Sequence, residues 1–323
     1  MRESLERYQI VIYLAVVLTG GMAGILWPAV AGQLDFLVWP VLAILLYTTF
    51  CHVSFGNLKQ AFRHRRFFAA SLFTNFALVP LIVWALTWLL PADPAIRLGV
   101  FMVLLVPCTD WFVTFTYLGK GATWLAVAIV PIQLLIQFVL LPVYLWVFMG
   151  KDFIQVVTVS PFLQVLTWII FVPFILATLT RYLASHQSIA TGWLRITAWL
   201  PIPLLALVLF IIVASQVNAA GHVFTSLSWP ALVFTLYLII AATLSRLIAL
   251  FFGLEPEAGR TLAFNMGTRN SFVILPLALA LPAGWEAAVA VIVLQSLIEL
   301  SGMLVYLWLI PKRLFPIQGH KSR

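Results

Sequence analysis

Long apolar segments follow one another along the whole chain, with short polar connections between them. Each is long enough to cross the hydrocarbon core of a bilayer, which takes about 20 residues in a helix. The predicted spans are 8–26, 34–54, 67–90, 97–118, 122–148, 161–183, 196–217, 229–252, 259–281 and 286–310. Only 9% of the 323 residues are charged, whereas about 25% are charged in a typical soluble protein. The sequence therefore predicts an all-α integral membrane protein with ten transmembrane helices, and it excludes a soluble enzyme and a disordered chain.

Basic residues indicate the side of the membrane on which each connection lies. With the N-terminus inside, fifteen of the 18 Lys and Arg residues fall at cytoplasmic ends and loops, and only Arg97 and Lys151 fall outside. Because cytoplasmic loops are enriched in Lys and Arg, a multi-pass protein of the cytoplasmic (inner) membrane with both termini in the cytoplasm is predicted. The basic run at 59–66 is interpreted as such a loop, in preference to a site for an anionic headgroup or for nucleic acid. Membrane lipid is an expected partner and nucleic acid is not.

The two halves of the chain repeat each other. At an offset of 162 residues, QLLIQ at 133–137 matches QSLIE at 295–299, and VYLW at 143–146 recurs at 305–308. Each half holds five predicted spans, so the second half enters the membrane with the opposite orientation. We therefore predict two inverted five-helix repeats, 1–150 and 151–323, in a single membrane domain. Inverted repeats are typical of secondary transporters, which bind substrate near the midplane where broken helices meet.

The fourth span of each half contains a polar interruption. VPCTD at 106–110 includes Pro107, which removes a backbone donor, and NMGTRNS at 265–271 includes Gly267, which tolerates unwinding. Unpaired backbone groups at membrane depth survive only around a cavity enclosed by protein. The two breaks, in spans four and nine, are therefore predicted to cross and to form a substrate site. Ordinary proline and glycine kinks are the alternative interpretation.

Polar residues of the two breaks are the candidate substrate ligands: Cys108, Thr109, Arg269, Asn270 and Ser271. The offset that aligns the two halves matches Cys108 with Asn270 and Thr109 with Ser271. A lone buried cysteine is more often a packing residue than a ligand. If Cys108 is a ligand, its soft sulfur indicates a thiophilic solute.

Asp110 and Arg269 are ionisable residues inside predicted spans, where each costs about 2.5–3.5 kcal/mol on insertion scales. They either form a structural pair that holds the crossing breaks together or contact the substrate or a proton directly. The sequence leaves both interpretations open, and a pair that opens on substrate binding would combine them.

A polar wall is predicted beside the breaks. Gln295 and Glu299 share a helix face, as do Gln133 and Gln137, and Asn265 lies at the start of the second break. Because burial disfavours the charged form of a carboxyl group, Glu299 is a candidate for loading and releasing a proton, together with Asp110 and Arg269. An interhelical hydrogen bond is the alternative role for Glu299.

Enzymatic chemistry is not indicated. The chain has no GxxxxGK[ST] phosphate loop, no Ser/His/Asp arrangement and no histidine spacing typical of a metal site. No enzyme activity, cofactor or metal is therefore predicted.

The motifs of the two breaks resemble a known group of transporters. VPCTDWFVTFTYLGKG at 106–121 and GRTLAFNMGTRNSF at 259–272, in ten predicted spans, resemble the bile-acid/sodium symporter superfamily. Within it, the arsenite-efflux permeases, often labelled arsenical-resistance proteins, are the more similar branch. Their fourth-span cysteine falls on Cys108 and their tenth-span glutamate on Glu299. The resemblance implies a panel domain, made from the first two spans of each half, a core domain with crossing helices, and export of arsenite in exchange for a proton.

The chain departs from that pattern at two positions. Sodium-coupled members carry a glutamate and a glutamine where this chain has Asn265 and Arg269, a change that should disfavour sodium there. Arsenite permeases usually have small or polar residues where this chain has Asp110 and Arg269, which leaves the exact substrate open.

The leading hypothesis is a secondary active transporter that exports arsenite or a related small metalloid hydroxyacid, by proton antiport. The alternative is a sodium- or proton-coupled symporter of a small organic anion held by Arg269. A membrane receptor without transport is a third interpretation, but it would leave the paired breaks unexplained.

Overall fold

A computed structural model gives the fold of the protein. It describes residues 2–52, 64–109, 111–150, 164, 166–184, 188–216 and 227–316. Within these ranges the chain is built from helices and has no β-strand, in agreement with the predicted all-α class.

Short turns separate most of the helices. Before residue 151 the described α-helices are α1 (Arg2–Leu26), α2 (Pro28–Gln33), α3 (Asp35–Phe50), α4 (Arg65–Phe73), α5 (Val79–Leu86), α6 (Pro94–Leu104), α7 (Trp111–Leu118) and α8 (Thr123–Met149). After it they are α9 (Val172–Ala184), α10 (Ser188–Thr197), α11 (Pro201–Gln216), α12 (Ser228–Phe251), α13 (Pro256–Gly267), α14 (Ser271–Leu279) and α15 (Glu286–Leu309). Turns of π-helix occur at Thr74–Leu78, Leu166–Phe171 and Ile310–Leu314, and a 3₁₀ turn at Thr87–Leu89.

Several helical segments have the length and composition of membrane spans. Among the described residues, five qualify: Arg65–Leu89, Thr123–Met149, Thr167–Ala184, Ser228–Phe251 and Glu286–Leu314. Shorter apolar helices are Val11–Leu26, Phe36–Phe50, Pro94–Leu104 and Pro201–Ser215. The full count of ten spans and the inverted repeat stay predictions.

Large apolar side chains cover much of the surface of these helices. Phe251 is 83% exposed, Trp88 is 74% exposed and Phe36 is 72% exposed. Exposed apolar surface on this scale is typical of a membrane-facing protein. The described residues are therefore those of a multi-pass membrane protein.

The helices pack into two compact units. Unit 1 comprises Met1–Val53, Asp152–Ser228 and Phe272–Val293, and unit 2 comprises Ser54–Lys151, Trp229–Ser271 and Leu294–Arg323. Each unit draws segments from both predicted halves of the chain.

Unit 1 is held together by helix packing and a few polar contacts. Helix α11 packs against α1 and α3, and α9 packs against α3. Tyr47 links three helices, because its hydroxyl is 2.9 Å from Thr180 Oγ1 and accepts a hydrogen bond of 2.9 Å from Trp193 Nε1. The candidate site residues all belong to unit 2.

Unit 2 contains helices whose ends are fixed by specific caps. Asp93 begins α6, because its side chain accepts hydrogen bonds from the backbone N–H groups of Ala95 and Ile96 and Pro94 occupies the first helical position. Arg260, near the start of α13, donates to the carbonyl oxygens of Lys120 at 2.6 Å and Phe315 at 3.0 Å. These contacts hold α6 and α13, the two helices that lead into the breaks.

Candidate functional site

The two predicted helix interruptions lie side by side within unit 2. Helix α6 ends at Leu104 before the first, and α13 ends at Gly267 before the second. The extended segments pair in antiparallel fashion, with Pro107 opposite Arg269. Cys108 N–H donates to the Thr268 carbonyl at 3.2 Å, and a matching bond runs from Asn270 N–H to the Val106 carbonyl at 2.9 Å. Each break thus supplies backbone partners that the other has lost, as a broken helix at membrane depth requires.

Gly267 permits this arrangement through its small size. Its φ is not positive, so the backbone conformation alone does not require glycine. A Cβ at this position would lie 2.5 Å from the Tyr306 ring and 3.0 Å from Met303 Cε. Glycine therefore allows the end of α13 to approach α15 closely.

Replacing Gly267 by alanine should lower the melting temperature of the detergent-solubilised protein by a few degrees. Overpacking a close contact costs about 1–3 kcal/mol. Gly192→Ala in α10 is the matched control, since a Cβ there would meet no atom within 4 Å, and a helical alanine should leave stability unchanged or slightly raised. Equal melting temperatures for wild type and Gly267→Ala would contradict the close packing.

The candidate substrate ligands of the two breaks are buried together. Cys108, Thr109, Asn270 and Ser271 are all buried. Asn270 Nδ2 donates to Thr109 Oγ1 at 3.0 Å, which links residues that the repeat places in equivalent breaks. Asp110, the predicted partner of Arg269, lies outside the described residues.

Ser271 connects the second break to α15. Its hydroxyl donates to Gln295 Oε1 at 3.3 Å and accepts a hydrogen bond of 2.8 Å from Ser296. Gln295 in turn donates to Glu299 Oε2 at 2.6 Å. A continuous polar chain therefore leads from the break to the carboxyl group of Glu299.

Glu299 is bound at one oxygen and not at the other. Oε2 accepts a second hydrogen bond, from the backbone N–H of Arg269 at 2.8 Å. Oε1 is buried and has no hydrogen-bond partner among the described residues. A carboxyl group anchored in this way keeps one oxygen available for a proton or a ligand.

The guanidinium group of Arg269 is buried and surrounded by oxygen atoms. Nη2 donates to Asn75 Oδ1 at 2.9 Å and to the carbonyl oxygens of Asn265 at 3.1 Å and Met266 at 2.6 Å. Nη1 donates to the Leu104 carbonyl at 3.3 Å. The guanidinium carbon also lies 5.4 Å from the centre of the Tyr237 ring, within range of a cation–π interaction.

Asn265 is the centre of a buried amide cluster next to this arginine. Its Oδ1 accepts hydrogen bonds from Ser71 Oγ at 2.7 Å, Asn75 Nδ2 at 2.6 Å and Gln133 Nε2 at 2.9 Å. Its own Nδ2 donates to Gln133 Oε1 at 3.0 Å. We call Ser71, Asn75, Gln133 and Asn265 the amide cluster.

Ser71 and Asn75 were not among the residues predicted from the sequence. The signal was present, because two polar residues four positions apart share a helix face inside the apolar span 67–90. Of the predicted polar wall, Gln133 and Asn265 belong to the amide cluster. Gln137 is also buried, but neither of its amide atoms has a hydrogen-bond partner within the described ranges.

Metal-binding side chains do not gather here. In the described part of the chain, no three His, Cys, Asp or Glu residues come together in a way that could hold a metal ion. The described part of the site is built from hydroxyl, amide and backbone groups, with one thiol, one carboxyl group and one guanidinium.

The fold and these contacts describe a multi-pass membrane protein with a polar site at two crossing helix breaks. The model of the Sodium Bile acid symporter family matches residues 39–226, more than half of the chain. The chain belongs to the sodium bile acid symporter family, whose members are transporters and not enzymes. The predicted superfamily is thereby confirmed, while nothing in the match points to its arsenite-efflux branch. A comparison with curated proteins gives no match.

The family match covers only part of the site. Cys108 and Gln133 lie within residues 39–226, whereas Arg269 and Glu299 lie beyond its end. Functional roles for the second break therefore depend on geometry and on its contacts with α15.

Proposed function

We propose that the protein is a secondary active transporter that exports arsenite or a related small metalloid hydroxyacid in exchange for a proton. It would act in the inner membrane with both termini in the cytoplasm. The observation that carries the proposal is the position of Cys108, whose backbone pairs with the second break at Thr268. A thiol at this crossing is a soft ligand beside hydrogen-bonding groups, the combination that a thiophilic hydroxyacid requires.

The neighbouring groups have the chemistry to bind the hydroxyls of such a solute. Thr109 and Asn270 are joined by a hydrogen bond that a hydroxyl group can replace, and Ser271 has a hydroxyl of its own. One thiol cannot provide coordination by three thiolates, so binding would be weak and exchangeable. Weak binding suits a transporter, which must release its substrate on the other side.

The terminal nitrogens of Arg269 are already bound to the protein. Four hydrogen bonds from its two terminal nitrogens go to protein oxygens. A carboxylate at the terminal nitrogens would displace these partners and leave buried carbonyl groups without donors, which is costly. The buried Nε, in contrast, has no hydrogen-bond partner among the described residues and remains a donor for an anion.

Glu299 is the proposed proton carrier. It is 1% exposed and connects through Gln295 to Ser271 of the second break. Binding of a proton at Glu299 and of substrate at the break would therefore involve one hydrogen-bonded chain. Asp110, outside the described residues, stays a second candidate for this role.

The proposed architecture is a pair of inverted five-helix repeats, 1–150 and 151–323, with panel and core domains. The antiparallel pairing of Pro107 with Arg269 supports it, because the predicted offset of 162 residues separates these two positions. The composition of the two compact units supports it as well, since each includes segments from both halves.

Replacing Cys108 by serine should lower arsenite flux at least about tenfold while leaving protein levels unchanged, because a hydroxyl group is a hard ligand for a soft centre. The measurement is arsenite uptake into inside-out membrane vesicles, energised by a proton gradient and separately by a sodium gradient. Cys51→Ser is the matched control, since Cys51 is also buried but lies in unit 1. Full flux in Cys108→Ser, or no arsenite flux under either gradient, would refute the proposal.

Sodium-coupled symport of an organic anion is the second candidate, and the family match favours it. It predicts inward accumulation driven by a sodium gradient and no effect of replacing Cys108. The same vesicles distinguish the two candidates when loaded with a small carboxylate in place of arsenite.

A further inference from the structure

The guanidinium of Arg269 is bound by oxygen atoms of the kind that coordinate a small cation. Its oxygen partners are three backbone carbonyls and one side-chain amide, all of them neutral. The carbonyls of Leu104, Asn265 and Met266 belong to the last turns of α6 and α13. Carbonyls at helix C-terminal ends carry partial negative charge, and in transporters such ends at broken helices coordinate small cations.

We propose that Arg269 is a tethered cation that fills this site, so that the protein works without a bound sodium ion. A guanidinium stays charged at any physiological pH, and it is fixed to the chain. The site therefore has its positive charge permanently. This inference concerns the coupling ion and holds whichever solute is transported.

The residues around Arg269 do not fit the sodium ion that the family name implies. A metal ion at the four oxygens would stand within a few ångströms of a permanent positive charge and would be repelled. The guanidinium already uses those oxygens at 2.6–3.3 Å. A sodium ion and the arginine side chain therefore exclude each other.

The amide cluster also lacks the acidic ligand that would attract a metal ion. Asn265 provides a neutral amide, and its Oδ1 already accepts hydrogen bonds from Ser71, Asn75 and Gln133. An amide oxygen has two lone pairs, so this oxygen has no capacity left for a metal. Among the described residues, the carboxyl group in contact with Arg269 is that of Glu299, which accepts a hydrogen bond from the Arg269 backbone N–H.

Because Arg269 provides a fixed positive charge in place of a free cation, the proton is the ion whose binding changes the net charge of the site. Among the described residues around the two breaks, Arg269 and Glu299 are the charged side chains. Only Glu299 gains or loses a proton readily. When Glu299 loses its proton, its negative charge balances the fixed positive charge of Arg269. When Glu299 gains a proton, the positive charge of Arg269 is no longer balanced.

The test is to empty the site with Arg269→Gln and to ask whether a free cation fills it. The melting temperature of purified protein in detergent is measured in choline chloride, in sodium chloride, and with low-millimolar guanidinium chloride, far below denaturing concentrations. Wild type should melt at the same temperature in sodium and choline. Arg269→Gln should melt several degrees lower in choline and should regain at least half of that loss on addition of guanidinium or sodium.

Arg269→Lys is the matched control, because it keeps the charge and should stay indifferent to sodium. Saturable stabilisation of wild type by sodium would overturn the inference, and so would an Arg269→Gln variant that folds but responds to no cation. If Arg269→Gln does not fold, the flux of the transported solute through wild-type protein in proteoliposomes tests whether sodium is needed. Flux that is unchanged when choline replaces sodium supports a tethered cation, and flux that requires sodium refutes it.

The thermal measurement needs no substrate. A failure to transport arsenite would therefore refute the proposed function without affecting the result on Arg269. Conversely, stabilisation of wild type by sodium would refute the tethered cation and leave the arsenite measurement intact.

Discussion

Replacing Glu299 by glutamine should lower net proton-driven flux at least about a hundredfold, the lower range of what a positioned proton-transfer group contributes. Glu299 is buried next to the second helix break and is bound to the backbone N–H of Arg269. Glutamine has nearly the same shape but cannot take up and release a proton. Coupling should therefore be lost while the fold is kept.

The geometry makes glutamine a well-matched replacement. Both hydrogen bonds to Glu299 end on one oxygen, Oε2, at 2.8 Å from Arg269 N and 2.6 Å from Gln295 Nε2. An amide oxygen can accept the same two bonds. The new amide nitrogen would replace Oε1, which has no hydrogen-bond partner among the described residues.

Two transport modes separate coupling from substrate binding. Net flux under an imposed proton gradient should disappear in Glu299→Gln, whereas exchange of labelled for unlabelled substrate, with no gradient, should persist. Glu286→Gln is the matched control, because Glu286 is an exposed carboxylate at the start of the same helix, α15. Retained proton-driven flux in Glu299→Gln would move the proton carrier elsewhere, with Asp110 as the next candidate.

The helices and their breaks could be predicted because their causes are local. Apolar runs of bilayer length predict membrane helices, and the polar interruptions around Pro107 and Gly267 mark the places where α6 and α13 end. Their pairing could be predicted from the proposed internal repeat, in which the two distant segments are equivalent. Helix α10 was not predicted, since most of it lies in the connection between the predicted spans 161–183 and 196–217.

The contacts within the amide cluster could not be predicted, because they join spans far apart in sequence. Asn75 and Asn265 meet across 190 residues, a contact set by helix packing and not by any local pattern. Polar pairs such as Ser71 and Asn75 indicate a buried polar face, but they do not identify its partner.

The role of Arg269 was left open for a similar reason. A charged residue within a span predicts a functional or paired site, without saying whether its partner is a carboxylate, a substrate or the protein backbone. The described contacts include four oxygens of neutral groups, three of them backbone carbonyls that have no signature in the sequence. The predicted pairing with Asp110 stays a prediction, because Asp110 is outside the described residues.

Replacing Asn265 by leucine should cause the largest loss of stability of any single change at the site, about 3–5 kcal/mol. The Asn265 side chain takes part in four hydrogen bonds, with Ser71, Asn75 and both amide atoms of Gln133. Leucine branches at the same carbon but is larger, so the loss combines unpaired polar groups with some overpacking. Each buried donor or acceptor left without a partner costs about 1–3 kcal/mol.

The penalty is concentrated on Gln133. Ser71 and Asn75 keep other partners, since Ser71 Oγ accepts from Gln133 at 3.2 Å and Asn75 Nδ2 donates to the Ser71 carbonyl at 3.0 Å. Gln133 Oε1 loses its hydrogen bond from Asn265 Nδ2, and its Nε2 keeps only Ser71. Gln133→Leu combined with Asn265→Leu should therefore be less destabilising than the two separate losses added together.

Thermal unfolding in detergent measures the effect as a fall of about 10 °C in the melting temperature of Asn265→Leu. Thr235→Leu is the control, because Thr235 is exposed on α12 and its hydroxyl bonds only within its own helix, to the Ala231 carbonyl. That variant should melt with wild type, since a leucine facing lipid costs nothing. If Asn265→Leu has the same melting temperature as wild type, then Ser71, Asn75 and Gln133 find other hydrogen-bond partners without it. The amide cluster then does not determine how α13 packs beside Arg269.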